Sequence, residues 1–284
     1  MRTLVIHLGG IGDFLLTLPS LVRLSQRGPL ELLGHKDRLE MAVDAGWAEA
    51  AHRLDAVGFT SAFGNPDSRL RGFLGRFDRC IAWIRDDDGR LAKNLRACGI
   101  GRVEAYPGLP PEDWCEPASL YYARCLGYED APTIRMNLEP SCQGFDVLIH
   151  PGSGSTRKNW PLKHYEALAT WLMGEGRRVT WCRGPAEEEM AFPTVGEVVE
   201  FGSLVSLGRA LASTKLYVGN DNGVTHLAAC VGCPTVAVFG PTDPVVWAPR
   251  GDHVSIVSRK PWPLREDVRN VLAAHLESQY CHGG

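Results

Sequence analysis

The stretch Lys215-Leu-Tyr-Val-Gly-Asn-Asp-Asn-Gly-Val-Thr-His-Leu-Ala-Ala-Cys230 decides how this chain is expected to fold. A short apolar run at 216–218 stops at a glycine, and the polar quartet 220–223 leads into an apolar segment with helical spacing. A second apolar run, Thr235–Phe239, completes a strand, a turn, a helix and a strand. An Asn or Asp in such a turn can cap the helix, and Gly223 lets a ligand approach the backbone closely. The free N–H groups of the first helical turn therefore predict an anion site suited to a diphosphate.

Strand-like and helix-like segments alternate along the chain. Apolar runs predict strands at 3–8, 30–33, 80–84, 147–150, 179–182, 216–218, 235–239 and 254–257. Helical spacing predicts helices at 13–26, 36–45, 91–98, 118–126, 162–174, 187–192, 204–212, 224–231 and 265–278. This alternation is typical of βαβ units, in which helices cover both faces of a parallel sheet.

The alternation restarts after residues 139–144, which have the composition of a linker. We therefore expect an N-terminal α/β domain over residues 1–140 and a second one over residues 145–262. A terminal helix in 263–284 is expected to pack on one of the domains, with the N-terminal domain as a candidate. In doubly wound domains ligands bind at the carboxyl ends of the strands, where the polar motifs of this chain stand.

The composition limits the class of protein. A chain of 284 residues, 44% of them hydrophobic, can bury one large core or two of ordinary domain size. Its net charge of −3 carries no nucleic-acid signature. No run approaches about 18 uninterrupted apolar residues, and His7 and Asp13 interrupt the apolar region that a signal peptide needs. The cytoplasm is the predicted location.

The nine cysteines are odd in number and scattered, which favours free thiols in a reducing compartment. Cys230-Val-Gly-Cys233 is a CxxC pair, so a redox or metal role is an alternative. No second CxxC or HxxxH completes a zinc set, and we interpret the pair as packing residues.

Three further motifs carry polar side chains. They are Leu4-Val-Ile-His-Leu-Gly-Gly-Ile-Gly-Asp13, His150-Pro-Gly-Ser-Gly-Ser-Thr-Arg-Lys-Asn-Trp-Pro161 and Gly184-Pro-Ala-Glu-Glu-Glu189. Asp13, on a glycine turn, is suited to take a proton from an alcohol, and it is also a good N-cap for a helix beginning at Phe14. The hydroxyls and cations of the second motif suit a phosphate group.

Together with the opening stretch, these motifs resemble glycosyltransferase family 9, the heptosyltransferase family, over about residues 4–244. The resemblance implies the GT-B architecture, two Rossmann-like doubly wound domains facing a cleft. It implies an inverting glycosyltransferase that moves a sugar, heptose from ADP-heptose above all, onto a lipopolysaccharide-type or other cell-surface glycan. Asp13 then matches the catalytic base and Lys158 the lysine that binds the donor phosphate. The matching donor-binding residues are Gly12, Ser155, Thr156, Glu188, Asp221, Asn222, Gly223 and His226.

Several of these assignments have structural alternatives. His226 can be a half-buried core histidine, and the three glutamates at 187–189 complement a helix dipole whatever their function. Their register is open, with Glu188 favoured as the contact to the ribose. Dinucleotide binding at the first glycine turn would use Glu31, but the GGxG spacing and the place of Glu31 at the start of a strand oppose it.

No metal cofactor is expected. No DxD pair stands where it would hold a divalent ion under a diphosphate, and Asp86-Asp-Asp88 is interpreted as a turn or helix cap. Cationic side chains and a helix N-terminus can replace the metal, as the GT-B resemblance implies. The substrate nucleotide is then an ADP-sugar.

The expected partners are a nucleotide-sugar donor and an anionic glycan or glycolipid acceptor, with no nucleic acid. Contact with the cytoplasmic face of the inner membrane would follow from a glycolipid acceptor. A candidate anion-binding set crowds the first half of the chain: Arg69, Arg71, Arg76, Arg79, Arg85, Arg90, Lys93, Arg96 and Arg102. An ordinary solvated surface is the alternative for this set.

Two other functions fit the same motifs. One is a non-catalytic nucleotide-sugar-binding protein, and the other is a family member that uses a different nucleotide sugar. Asp13 and Lys158 together favour the enzyme over the binding protein, because a binder has no use for a base.

Overall fold

The computed structural model describes residues 1–142, 144–187, 192 and 195–281. The chain divides into two compact units, Met1–Pro132 and Thr133–Gly284. Each unit is a parallel β-sheet with helices, as the alternation of segments predicts.

The first unit contains a five-stranded parallel sheet in its described residues. The strands are β1 (Thr3–His7), β2 (Leu30–Gly34), β3 (Ala50–Arg53), β4 (Arg79–Trp83) and β5 (Arg102–Tyr106), in the order β3-β2-β1-β4-β5. The helices are α1 (Ile11–Leu16), α2 (Leu18–Ser25), α3 (Lys36–Asp44), α4 (Ser68–Leu74), α5 (Arg90–Ala97) and α6 (Ala118–Cys125). The strand order reverses between β1 and β4, so the loops after these two strands flank the switch point of the sheet.

The central strands of this sheet are buried on both faces. In β1, Leu4 and Ile6 belong to one core cluster together with residues such as Leu70 of α4 and Leu95 of α5. All five residues of β1, including Val5, are buried. A strand covered on both sides can be apolar throughout, which explains the continuous apolar run in the sequence.

The second unit contains a six-stranded parallel sheet in its described residues. The strands are β6 (Val147–His150), β7 (Val179–Arg183), β8 (Glu197–Glu200), β9 (Tyr217–Asn220), β10 (Thr235–Phe239) and β11 (Val254–Ser258), in the order β11-β10-β9-β6-β7-β8. The helices are α7 (Leu162–Gly174), α8 (Leu204–Ala212), α9 (Gly223–Val231), α10 (Pro244–Trp247) and α11 (Arg265–Cys281). Here the order reverses between β6 and β9, which places the loops after β6 and β9 side by side.

Two segments near the ends of the second unit pack within it. Val268, Leu272 and Leu276 of α11 lie in the core cluster of this unit. Before the predicted linker, Met136 is buried and its N–H donates to Cys230 O at 2.7 Å, so the chain already joins the second unit there. Residues 139–142 and 144 therefore lie within the second unit.

The helix predicted at 13–26 is two helices, α1 and α2, and it begins earlier, at Ile11. Pro19 lacks an N–H and cannot donate to the carbonyl four residues before it, so the helical ladder is interrupted near Thr17. At this break Thr17 Oγ1 donates to Phe14 O at 2.6 Å. The predicted helix at 187–192 falls mostly outside the described residues.

Candidate functional site

The candidate site of the first unit is Asp13, beyond the carboxyl end of β1. The N-cap of α1 is Gly10, which has no side-chain oxygen, and Asp13 Oδ2 accepts a hydrogen bond from the Gly10 N–H at 2.9 Å. The prediction that Asp13 is the N-cap of a helix beginning at Phe14 is therefore wrong, because Asp13 is the third residue of α1. The carboxylate is nevertheless fixed by the turn and remains partly exposed at the switch point of the sheet.

His7 lies against the same turn, a place that was not predicted from the sequence. A β-carbon at Gly9 would lie 2.8 Å from His7 Cε1 and 3.0 Å from Asp13 Cβ. Only glycine therefore lets both side chains pack this closely against the backbone of the turn. The imidazole is buried between Phe14 and Trp83, and its Nε2 has no hydrogen-bond partner among the described residues. Burial, with smaller effects of Arg38 and His35, lowers the pKa of His7 to about 4. The imidazole is therefore neutral at pH 7.

Tyr122 of α6 is a second group near Asp13. Burial and, to a lesser extent, the charge of Asp13 raise the pKa of Tyr122. The neutral phenol donates to Gly108 O at 2.9 Å. His7 and Tyr122 are therefore both neutral at pH 7.

Glu31, the residue required for the dinucleotide alternative, has a structural role. It is buried in β2, with its Oε2 2.6 Å from His52 Nε2 and 2.7 Å from Arg76 Nη2. These contacts lie near the amino ends of the strands, away from the glycine turn. A ribose at that turn is therefore out of reach of Glu31.

The candidate site of the second unit is an ion pair between Lys158 and Asp221. Lys158 ends a 3₁₀ turn, Thr156–Lys158, in the loop 151–159 that follows β6, and Asp221 directly follows β9. Lys158 Nζ lies 2.8 Å from Asp221 Oδ2. The lysine side chain is 37% exposed and the carboxylate only 7%, so a buried carboxylate holds a cation that is accessible to solvent.

Two asparagines attach the loop 151–159 to the turn after β9. Asn220 Oδ1 accepts from the Trp160 N–H at 3.0 Å and from the Tyr165 hydroxyl at 2.8 Å, while its Nδ2 donates to Pro151 O. Asn222 Nδ2 donates to Gly152 O at 2.6 Å. These bonds hold both ends of the loop against the carboxyl end of β9, which gives the switch point a fixed backbone.

Asn222 also caps α9, as the sequence pattern predicts for an Asn or Asp in this turn. Its Oδ1 accepts from the Thr225 N–H at 2.9 Å, and Gly223 is the first helical residue. Because the first N–H groups of a helix lack intrahelical acceptors, this end of α9 is suited to an anion.

The other predicted donor contacts differ in exposure. Ser155 and Thr156 are exposed on the loop 151–159, whereas His226 is buried in α9. Glu188 lies outside the described residues. Its neighbour Glu187 is fully buried.

Two aspartates in turns, Asp86 of the acidic segment 86–88 and Asp243, act as helix caps. Asp86 accepts from the N–H groups of Leu91 and Ala92 at 2.9 and 2.8 Å, at the start of α5. Asp243 accepts from the Val245 N–H at 2.9 Å, at the start of α10. Across the described part of the chain, no group of three or more His, Cys, Asp or Glu residues is arranged to hold a metal ion.

Most of the basic residues between 69 and 102 have structural partners. Arg79 and Arg102 bind Glu104 at 2.7 and 3.0 Å, and both lie at the amino ends of their strands. Arg71 donates to Pro66 O and Ala97 O, and Arg96 to Val103 O. Arg85 differs, because it is exposed and lies two residues beyond the carboxyl end of β4.

The cysteines with described side chains are free thiols. Burial raises the pKa of Cys230 to about 12, and Cys233 is buried and donates to Thr214 O. The CxxC pair is therefore a packing pair in this structure. None of the described helices combines the length and the apolar character needed to cross a bilayer.

Two parallel-sheet α/β units, each with polar residues at its switch point, are the architecture expected of a GT-B protein. The family model described as "Glycosyltransferase family 9 (heptosyltransferase)" matches residues 134–275. Lipopolysaccharide heptosyltransferase 1 of Salmonella typhimurium is 30% identical over 297 residues, covering 86% of this chain and 90% of that protein. The chain therefore belongs to glycosyltransferase family 9.

Other similarities are partial or remote in sequence. Lipopolysaccharide heptosyltransferase 1 of Escherichia coli K12 is 33% identical over 168 residues, covering 53% of this chain and 50% of that protein. Several curated relatives are matched over only 42–50% of their own length. The structure of Escherichia coli ADP-heptose lps heptosyltransferase II superposes with a TM-score of 0.78, at 18% identity, over 99% of this chain and 100% of that one. At this identity the superposition shows the shared fold.

Proposed function

We propose that this protein is an inverting glycosyltransferase that moves a heptose from ADP-heptose onto a lipopolysaccharide-type acceptor. The observation that carries the proposal is the Lys158–Asp221 pair at the switch point of the second sheet, with a capped helix N-terminus beside it. A diphosphate needs such a site, with a cation and free N–H groups. The names of the relatives supply the sugar and the nucleotide.

Lys158 would bind the donor diphosphate and stabilise the leaving ADP. As the bond between the sugar carbon and the phosphate oxygen breaks, negative charge grows on the diphosphate. A lysine held by a buried carboxylate is positioned before the substrate arrives, so little reorganisation is needed. Ser155, Thr156 and Gly223 would add hydroxyl and backbone contacts, and metal independence remains part of the proposal.

Asp13 would act as the general base. It takes the proton of the acceptor hydroxyl while that oxygen forms a bond to the anomeric carbon and ADP departs from the opposite face. Attack from the face opposite to the leaving group inverts the configuration. The hydrogen bond from the Gly10 N–H orients the carboxylate for this step.

A groove at the carboxyl ends of β2 and β3 in the first unit is a candidate for acceptor binding. It has a volume of about 580 Å³, and its wall includes His35, Lys36, Arg53 and Asp55. Arg53 and Asp55 bind each other at 2.9 Å, so the groove offers donors and acceptors together. A polyhydroxylated acceptor needs that combination, and Arg85 beyond β4 would add a contact to an acidic group.

The acceptor would be an acidic or phosphorylated inner-core glycan on a lipid. An enzyme with such an acceptor is expected to work in the cytoplasm, at the inner surface of the cytoplasmic membrane. This location is part of the proposal and follows from the acceptor.

The test is turnover with a panel of ADP-, UDP-, GDP- and CMP-sugars, with and without a lipid-linked core acceptor. We expect ADP release from ADP-heptose that depends on the acceptor, and a product of inverted anomeric configuration by NMR. Binding of ADP-heptose without turnover for any acceptor would favour the non-catalytic binding protein. Faster turnover with another nucleotide would reassign the donor.

A further inference from the structure

We propose that Glu187 is a positioning residue of the loop 151–159 and acts through Gly152, without touching the nucleotide. The inference rests on the proposed binding of a nucleoside diphosphate by this loop. Glu187 is a buried carboxylate directly behind the loop, and it is one of the three glutamates at 187–189 that are candidates for a contact to the ribose.

The Glu187 carboxylate is completely enclosed by protein. Its relative exposure is 0%, and its Oε2 accepts from the Gly184 N–H at 2.8 Å. Its Oε1 lies 2.8 Å from Nδ1 of His150, the last residue of β6, although the two groups are not oriented as a hydrogen bond. A carboxylate buried to this degree cannot reach a ribose hydroxyl at the surface unless the local backbone moves.

The same carboxylate fills the space beside Gly152, the second residue of the loop. A β-carbon at Gly152 would fall on Glu187 Oε1, so the loop backbone packs directly on the carboxylate. On its other side, Gly152 O accepts from Asn222 Nδ2 at 2.6 Å. Gly152 is therefore held between Glu187 and the turn after β9.

A negative charge beneath a diphosphate site opposes the binding of an anion, and burying a charge is costly. A carboxylate in this place is consistent with a structural task, because its Oε2 accepts from the Gly184 N–H and its Oε1 packs against Gly152. The geometry thus fits a clamp on the loop backbone better than a contact to the ligand.

The experiment compares two ligands, ADP and inorganic pyrophosphate, by calorimetry on the full chain. If Glu187 positions the loop, Glu187→Ala should weaken both ligands by a similar factor, about tenfold, which corresponds to about 1.4 kcal/mol. Glu187→Gln keeps the shape and the acceptor for the Gly184 N–H, so it should bind both ligands within about threefold of wild type. Glu200→Gln, an exposed carboxylate of the same unit, is the matched control and should change neither affinity.

Gly152→Ala tests the contact between Gly152 and Glu187 from the side of the loop. It is also the alternative variant if Glu187→Ala does not fold. The added β-carbon should weaken both ligands on its own, but should add little in a Glu187→Ala background, where the carboxylate has been removed. A direct contact to the ribose predicts another pattern: Glu187→Gln as damaging as Glu187→Ala for ADP, with pyrophosphate unchanged. That pattern, or unchanged binding of both ligands by Glu187→Ala and Gly152→Ala, would overturn the inference. A wild type that binds neither ligand would overturn the proposed function as well.

Discussion

At the scale of single residues, Asp13 combines a local bond with a candidate chemical role. It accepts the Gly10 N–H in the first turn of α1 and is partly exposed beside the neutral His7. Asp13→Asn keeps the shape and an acceptor for the Gly10 N–H, but removes the base. We expect kcat to fall by about 10²–10⁴ with the Kd for ADP little changed. Steady-state kinetics with a calorimetric Kd measure both quantities, and normal turnover would refute the assignment.

Lys158 is expected to act in binding and in the chemical step. Lys158→Ala removes the cation and leaves the buried Asp221 without its partner, so an anionic ligand would meet an uncompensated carboxylate. The Kd for ADP should rise by at least about tenfold, and kcat should also fall because the charge of the leaving group is less stabilised. Lys215→Ala, an exposed lysine of the same unit, is the control. Unchanged ADP binding by Lys158→Ala would contradict the role.

At the scale of elements, the ends of parallel strands explain which basic residues are available. Arg85 lies beyond the carboxyl end of β4, whereas Arg102 opens β5 at the opposite edge and binds Glu104. If the acceptor is anionic, Arg85→Gln should raise its KM by about three- to tenfold and make it less sensitive to salt, with the donor KM unchanged. Kinetics at low and moderate ionic strength, with Arg102→Gln as the control, measure this. If Arg85→Gln and Arg102→Gln change the acceptor KM equally, Arg85 has no specific role in acceptor binding.

Elements with two buried faces were predicted well from the sequence. The runs at 147–150 and 235–239 coincide with β6 and β10, because central strands of a parallel sheet are apolar throughout. The strands that the pattern missed, β3, β5 and β8, all lie at sheet edges. Half-exposed edge strands such as β8, Glu-Val-Val-Glu, contain too few apolar residues to stand out.

The candidate site was predictable to the extent that it depends on topology. Lys158 and Asp221 are 63 residues apart in sequence and meet because β6 and β9 are neighbours. The direction of one side chain is not encoded in such a pattern. Glu187 turns inward and His7 lies under a turn, and both facts depend on packing against glycines that the motif alone does not reveal.

At the scale of the whole molecule, His7 links folding to pH. Its pKa is about 4 in the folded state, below the ordinary 6.5, so the unfolded chain binds a proton first as the pH falls. The contribution of the neutral His7 to the unfolding free energy is therefore present above about pH 6.5 and is lost as the pH falls toward 4. Between pH 7 and 5 the wild type should lose about 2 kcal/mol of unfolding free energy that His7→Gln does not lose.

Urea denaturation at the two pH values measures this difference. The comparison uses the change with pH within each protein, so an overall loss of stability in the variant cancels. His253→Gln, in the second unit, controls for the change of residue type. An equal loss in wild type and His7→Gln would mean that His7 is not the group responsible.

The ion pair between Lys158 and Asp221 also bears on how a reaction cycle would end. A diphosphate that binds Lys158 competes with an internal carboxylate 2.8 Å from the ammonium. If ADP is the product, the same carboxylate would bind the ammonium again as ADP departs, which would lower the affinity of the site for ADP. Because Asp221 would compete with ADP for Lys158, the site would bind its product less tightly and could release it sooner.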